Sequence, residues 1–376
     1  MRVNDWIKKL TAALLSAWIA LASVLSVLGA DSDAWQSKKE STQAHLQTLT
    51  PQVGSIGGEW LTIGLSRTGA CTEEQKTAYL QAARTAVAAA GSNRLHPRKS
   101  SDNARVILAL SALGVDPRSV EGYDLTAPFA DMDYVGRQGV NGVIWALIAL
   151  DACGYPMPSE VRERMLQTLA DSQHADGGWG LSDDMSDPDV TGMALTALAP
   201  YRTYDSALRD AADKGVAWLA GNQQDGGYVS YDDYNPESSA QVLTALSAMQ
   251  IDAKADARFA ALPDSILRFS VDGGFAHSLG GSYNQMATEQ VYYAMVAYER
   301  LQTGQTALFD MTDVQDFAVP DSDGDGTVSI QDATAVQRFL AEFAAMSTPQ
   351  QRLADLNRDG RVDIGDVTAL QRRLAQ

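Results

Sequence analysis

Asp176-Gly-Gly-Trp179, Asp225-Gly-Gly-Tyr228 and Asp272-Gly-Gly-Phe275 decide the fold of this chain. They recur at spacings of 49 and 47 residues, and Gly57-Gly-Glu-Trp60 is a related copy near the start. In each copy the glycines permit a tight turn and the aspartate can bond the turn backbone. The aromatic residue plugs the end of a helical hairpin. A period of this length between helix-like segments signals a stacked or closed helical array.

Outward from the turns, Asp189 to Leu198 and Glu237 to Leu246 are small-residue helices with a shared core pattern. They are nearly apolar all round, which predicts burial. Weaker copies run Ser101–Leu110, Gln138–Leu147 and Met286–Met295. Inner helices are predicted over 58–69, 101–113, 138–152, 189–200, 236–250 and 285–303. More charged outer helices are predicted over 35–49, 72–91, 126–135, 158–173, 205–222 and 258–270. No alternating strand pattern competes. Six such pairs over 35–304 close into an all-α (α/α)6 toroid.

The chain has 376 residues, 45% hydrophobic and 20% charged, enough for a large core and one small extra module. Its formal charge of -18 argues against nucleic acid or an anionic membrane as partner. Two cysteines, Cys71 and Cys153, exclude a disulfide scaffold and a four-cysteine zinc site. They can pair or stay as buried thiols. Arg2, Lys8 and Lys9 precede an uncharged run from Leu10 to Ala30, which reads as a secretory signal over 1–30 with cleavage after Ala30. The expected location is extracellular or on the cell surface.

The turns, most fully Gln224 to Tyr228, resemble the prenyltransferase and squalene-cyclase repeat. That resemblance implies the toroid, a fold that does not by itself fix the chemistry. Class II cyclases protonate an alkene with Asp-x-Asp-Asp, and the nearest match here, Asp187-Pro-Asp-Val190, lacks the fourth residue. The four histidines, His45, His96, His174 and His277, do not combine with a cysteine as in the zinc site of protein prenyltransferases. Asp183-Asp-Met-Ser-Asp187 spells a diphosphate-binding pattern in a loop rather than a helix. No cofactor is evident in the toroid.

What remains is a polar ring at the inner-helix starts. Glu59, Asn141 and Glu289 share one level; Thr191, Ser239 and Thr288 a second; Asp189 and Glu237 a third. Gln138, Gln241, Gln290 and Asn103 belong to the same ends, with Trp60, Trp145, Tyr292 and Tyr293 nearby. Capping and helix dipoles select such residues without any ligand. The functional reading is a mouth for a hydroxyl-rich or cationic ligand, or for a protein. Its alternative is carbohydrate hydrolysis by two of Glu59, Asp189, Glu237 and Glu289. Terpene-type cyclisation is third.

The carboxyl terminus carries a second repeat, offset by 34 residues. Asp321-Ser-Asp-Gly-Asp-Gly-Thr-Val-Ser-Ile-Gln-Asp332 matches Asp355-Leu-Asn-Arg-Asp-Gly-Arg-Val-Asp-Ile-Gly-Asp366. Calcium needs six to eight oxygens, which a 12-residue loop supplies. Side chains at Asp321, Asp323, Asp325, Ser329 and Asp332 fit this, as do Asp355, Asn357, Asp359, Asp363 and Asp366. Thr327 and Arg361 would offer carbonyls, and Gly326 and Gly360 the sharp turn. Each loop runs into a helix, and no helix directly precedes the first.

This loop-then-helix pair over 321–376 resembles the type I dockerin. The resemblance implies two Ca²⁺, folding coupled to calcium, and docking onto a cohesin module of a scaffold protein in a cellulosome-like complex. Partner-selecting positions would be Ile330, Gln331, Thr334, Gln337 and Arg338, repeated as Ile364, Gly365, Thr368, Gln371 and Arg372. Between the parts, 305–320 reads as a short, acidic, exposed linker.

Overall fold

A computed structural model describes residues 34–182, 184–314, 321–325, 327–357 and 359–375. The expected signal segment, Asp183, the end of the linker and Gly326 lie outside the described residues. Among those described, no helix is long and apolar enough to cross a membrane.

Six inner helices form the toroid wall: α2 (Glu59–Arg67), α4 (Ser100–Ala112), α6 (Val140–Asp151), α8 (Pro188–Leu198), α10 (Pro236–Ala248) and α12 (Gln285–Gln302). Each packs on the next, and α12 returns to α2 to close the ring. Outside them lie α1 (34–46), α3 (Glu73–Ala90), α5 (Met132–Gly136), α7 (Ser159–Asp171), α9 (Ser206–Gly221) and α11 (Leu262–Leu267). The outer elements over 126–135 and 258–270 are shorter than predicted. Proline has no amide to give, so Pro128 and Pro263 sit only where a helix begins. Of two short hairpins, Val229–Ser230 with Asp233–Tyr234 follows the second Gly-Gly turn, and Ser270–Val271 with Gly274–Phe275 encloses the third.

The repeated turns explain the wall. Gly177, Gly226 and Gly273 have φ of +98°, +80° and +75°, where side chains are disfavoured. The second glycine of each pair allows close approach: a Cβ on Gly274 would lie 2.4 Å from the Thr288 side chain. The aromatics Trp179, Tyr228 and Phe275 are fully buried. Their amides donate to Thr191 Oγ1 (2.9 Å), Ser239 Oγ (3.2 Å) and Thr288 Oγ1 (3.0 Å). Trp179 Nε1 and Tyr228 Oη bond the Leu169 and Leu219 carbonyls of the outer helix before the turn. One aromatic residue therefore ties an outer helix to the next inner helix.

The segment 305–314 departs from the exposed linker expected. Leu308, Phe309 and Met311 are buried. Phe309 meets Trp60, Trp145 and Tyr293 at ring separations of 5.8–6.3 Å. Asp313 receives Arg67 Nη1 (2.7 Å) and Arg300 Nη2 (2.6 Å), two buried guanidinium groups that need an anion. The segment thereby closes the carboxyl-terminal end of the inner ring. Cys71 and Cys153 are both buried and are not joined to each other, and Cys153 Sγ faces the Met311 carbonyl at 3.8 Å.

A small second core follows. Helices α13 (Ile330–Leu340), α14 (Thr348–Ala354) and α15 (Ile364–Leu374) enclose Ala333, Val336, Met346, Ala354, Val367 and Leu370. This module rests on the closed end of the toroid through α14 and α7.

Candidate functional site

The first carboxy-terminal loop brings one carboxylate oxygen each from Asp321, Asp323 and Asp325 within 4.8 Å of one another. Asp321 is fully buried and its Oδ1 accepts the Gly324 and Asp325 amides, which fold the loop inward. Asp332 closes it by accepting the Asp323 and Ser329 amides. Desolvation, with Asp323 nearby, raises the Asp332 carboxyl above its ordinary value. The second loop repeats the plan: Asp366 accepts from Leu356, Asn357 and Asp363, and Asp355 from Gly360. Converging acids with buried outer oxygens fit a hard divalent cation. The side chains of Thr327, Asp359 and Arg361 remain exposed, as a carbonyl donor or an outer ligand allows.

All ten expected partner-selecting residues, from Ile330 to Arg338 and from Ile364 to Arg372, are solvent-exposed on α13 and α15. Ile330 and Ile364 are 59% and 68% exposed, which a soluble surface does not require.

In the toroid the polar ring separates into three groups. The first belongs to the fold: the hydroxyls of Thr191, Ser239 and Thr288 are buried and taken by the turn amides already described. Their expected place on a ligand-facing surface is corrected by that geometry. Asn103 likewise bonds the Asn93 and Leu125 carbonyls.

The second group clamps the loop before α2. Glu59 accepts from the Gly54 amide (2.9 Å), Tyr79 Oη (3.2 Å) and Arg105 Nε (3.3 Å). Burial pushes it up, and Arg105 opposes that shift. Glu289 accepts the Gly57 amide on both oxygens and Gln285 Nε2 on one. Burial pushes it up to about 7. Both acids hold the loop before α2 by its backbone and are braced by neighbouring side chains.

The third group gathers at the starts of α8 and α10. Asp187 Oδ1 caps α8 and its Oδ2 accepts from Ser230 Oγ at 2.5 Å. Asp189, next along α8, is raised to about 7 by desolvation and by the charges of Asp187 and Glu237. Glu237 on α10 is raised by burial, opposed by His277. His277 places Nδ1 2.8 Å from Glu237 Oε1 and Nε2 2.7 Å from Asp233 Oδ2. The Glu237 contact leads in raising its pKa. Asp189 Oδ1, Glu237 Oε2 and Ser238 Oγ are buried without a well-formed hydrogen bond, although Ser238 lies close enough to Asp189 to lower its carboxyl against the desolvation. Such groups ordinarily find a partner, so the cluster is incomplete by itself. Gln241 Nε2 donates to Tyr293 Oη at 2.5 Å, and Trp60 packs on both Trp145 and Tyr293. Asn141 and Gln290 are half-buried at their helix starts.

Sequence reasoning missed the rim. Ile56, Leu181, Met185, Tyr231, Leu279 and Tyr283 are exposed, and all lie in loops that precede inner helices. Among described residues the other exposed large apolar side chains are Ile330, Phe343 and Ile364. The signal was present as apolar residues in polar loops, after three of the Gly-Gly turns and, at Ile56, just before the first. A cleft of about 530 Å³ lies at the other end, between the toroid and the carboxy-terminal module, away from these acids.

The comparisons divide the same way. Residues 319–375 match the dockerin type I domain. The chain is 28% identical over 158 residues to squalene–hopene cyclase of Zymomonas mobilis, covering 38% of this chain and 24% of that protein. It is 35% identical over 150 residues to drimenyl diphosphate synthase of Streptomyces showdoensis, covering 36% and 28%. The chain thus spans about a quarter of the length of these relatives. Among solved structures, a UGL chain with dGlcA-Glc-Rha-Glc is 11% identical, covers 74% of this chain and 98% of its own, and has a TM-score of 0.51. Unsaturated glucuronyl hydrolase of Bacillus sp. GL1 is 13% identical, covering 73% and 98%, with a TM-score of 0.49. The chain is therefore an α/α toroid followed by a dockerin type I domain.

Proposed function

We propose that this is an exported component of a cellulosome-like complex, attached through a calcium-loaded dockerin to a cohesin module. One observation carries this: two in-register acidic loops present duplicated, exposed helix faces around Ile330 and Ile364. Asp321, Asp323, Asp325, Thr327, Ser329 and Asp332 would hold one Ca²⁺. Asp355, Asn357, Asp359, Arg361, Asp363 and Asp366 would hold the other. Bound calcium offsets carboxylate repulsion and fixes the loop that starts each helix. The test is binding of the full chain to immobilised type I cohesins with calcium and with chelator. Binding that survives chelation would sink the reading.

The toroid is proposed as a ligand-binding module whose site is the mouth around Asp189, Glu237 and His277. The apolar rim, with Tyr231 and Tyr283, offers faces for stacking, and the unsatisfied acid oxygens offer acceptors. A carbohydrate fits both. A second reading, hydrolysis, is favoured by Asp189, a carboxyl that stays protonated toward pH 7 beside Glu237. In it Asp189 is the acid and Glu237 the base or nucleophile. Thermal shifts with plant-wall oligosaccharides, followed by product analysis, separate the two. A shift without cleavage supports binding alone, and no shift with any sugar removes the carbohydrate form of both.

A further inference from the structure

The second dockerin loop is built against the toroid. Tyr204, between α8 and α9, donates its hydroxyl to Asp355 Oδ2 at 2.6 Å. The same oxygen takes the Gly360 amide at 2.8 Å. Asp355 opens the loop and is 2% exposed. Gly360 has φ of +87°, and a Cβ there would lie 2.6 Å from Thr203 Cγ2. The loop's sharp turn therefore sits on the toroid with no room for a side chain. Nearby, Arg352 Nη2 reaches the Asp151 carbonyl at 3.3 Å and Thr348 Oγ1 reaches Asp205 Oδ2 at 3.2 Å.

We propose that Tyr204 is a positioning residue for calcium in the 355–366 loop, so that ion binding there and docking of the dockerin onto the toroid stabilise one another. The proposal rests on the calcium reading of that loop. Two donors on one carboxylate oxygen hold the rotation of Asp355 before any ion arrives. Outer groups that orient a metal-binding carboxylate typically change affinity by about 10–100-fold. The coupling runs both ways: what docking gives to calcium affinity, calcium gives to docking. Without the ion, Asp355, Asp359, Asp363 and Asp366 repel one another, and the loop that matches Thr203 and Tyr204 is less often formed. The first loop has a different neighbour, the Ser159 amide, which donates to the Gly324 carbonyl at 3.1 Å.

The experiment compares the calcium-stripped full chain with its Tyr204→Phe variant by titration calorimetry. Tyr204 is half-buried and phenylalanine keeps its ring, so folding is preserved. The expected result is one site weakened by about 10-fold or more and the other within about twofold. Hydrogen exchange is read in parallel: calcium should slow exchange over 200–206 in the native chain and not in the variant. Two unchanged sites, with toroid exchange indifferent to calcium in both proteins, would overturn the proposal. No calcium uptake by the native chain would instead overturn the calcium reading beneath it.

Discussion

His277 Nδ1 lies 2.8 Å from Glu237 Oε1, and this contact ties the loop carrying Leu279 and Tyr283 to the start of α10. The other ring nitrogen meets Asp233, so the imidazole has a carboxylate on each side. With both carboxylates ionised, both contacts are satisfied only when His277 is protonated. Its raised pKa makes this stabilisation fully present below the unfolded value of about 6.5 and lost as pH rises through the folded value. Melting temperature is expected to fall across that window, and the fall should be shallower in His277→Gln. An identical slope in the variant would contradict the arrangement.

Asp189 makes a second pH prediction of the same sign. Its carboxyl is raised from 3.8 to about 7, so the folded chain holds a proton the unfolded chain has released. Stability on this account declines from about pH 4 to pH 7 and stays lower above it. Asp189→Asn removes the buried charge, and should be more stable than the native chain at pH 8 by on the order of 2 kcal/mol, with little difference at pH 4. Urea melts at the two pH values measure this. Because Asp189 and Glu237 interact, this change and His277→Gln should not add.

Gly274→Ala tests the turn that orders the wall. The new methyl would sit 2.4 Å from Thr288 Oγ1, the atom that receives the Phe275 amide. Relief requires moving α12 or breaking that bond, at a cost of about 1–3 kcal/mol. Gly136→Ala is the control, since a Cβ there meets nothing within 4 Å. Thermal melts that place the two variants together would refute the structural role given to the second glycine.

Ile330→Asp with Ile364→Asp tests the exposed face of the dockerin. Both side chains are more than half exposed, so stability should change by no more than about 0.5 kcal/mol for each. Cohesin capture should nevertheless be lost, because both copies of the apolar contact are removed together. Undiminished capture would place the partner elsewhere.

The toroid was legible because its pattern is local. Apolar periodicity with Asp176-Gly-Gly-Trp179 and its copies specifies both helix and turn within a few residues. The calcium loops were legible for the same reason. The roles of the ring residues were not, because they depend on partners far along the chain. Thr288 reads as an exposed polar cap until Phe275 is seen to claim it, and Glu289 until Gly57 is. Residues 305–314 read as linker because Asp310 and Asp313 are acidic, yet Arg67 and Arg300 lie 246 and 13 positions away from Asp313. Proline also shortened α11 below its periodic span, a local rule underweighted against the pattern.

On the proposed function the acidic carboxyl terminus is a calcium-loaded attachment device. Equilibrium calcium uptake by the full chain tests it most directly. The account predicts two ions per chain, one lost in Asp321→Ala and the other in Asp355→Ala. Uptake of no calcium, or uptake unchanged by both substitutions, would contradict it.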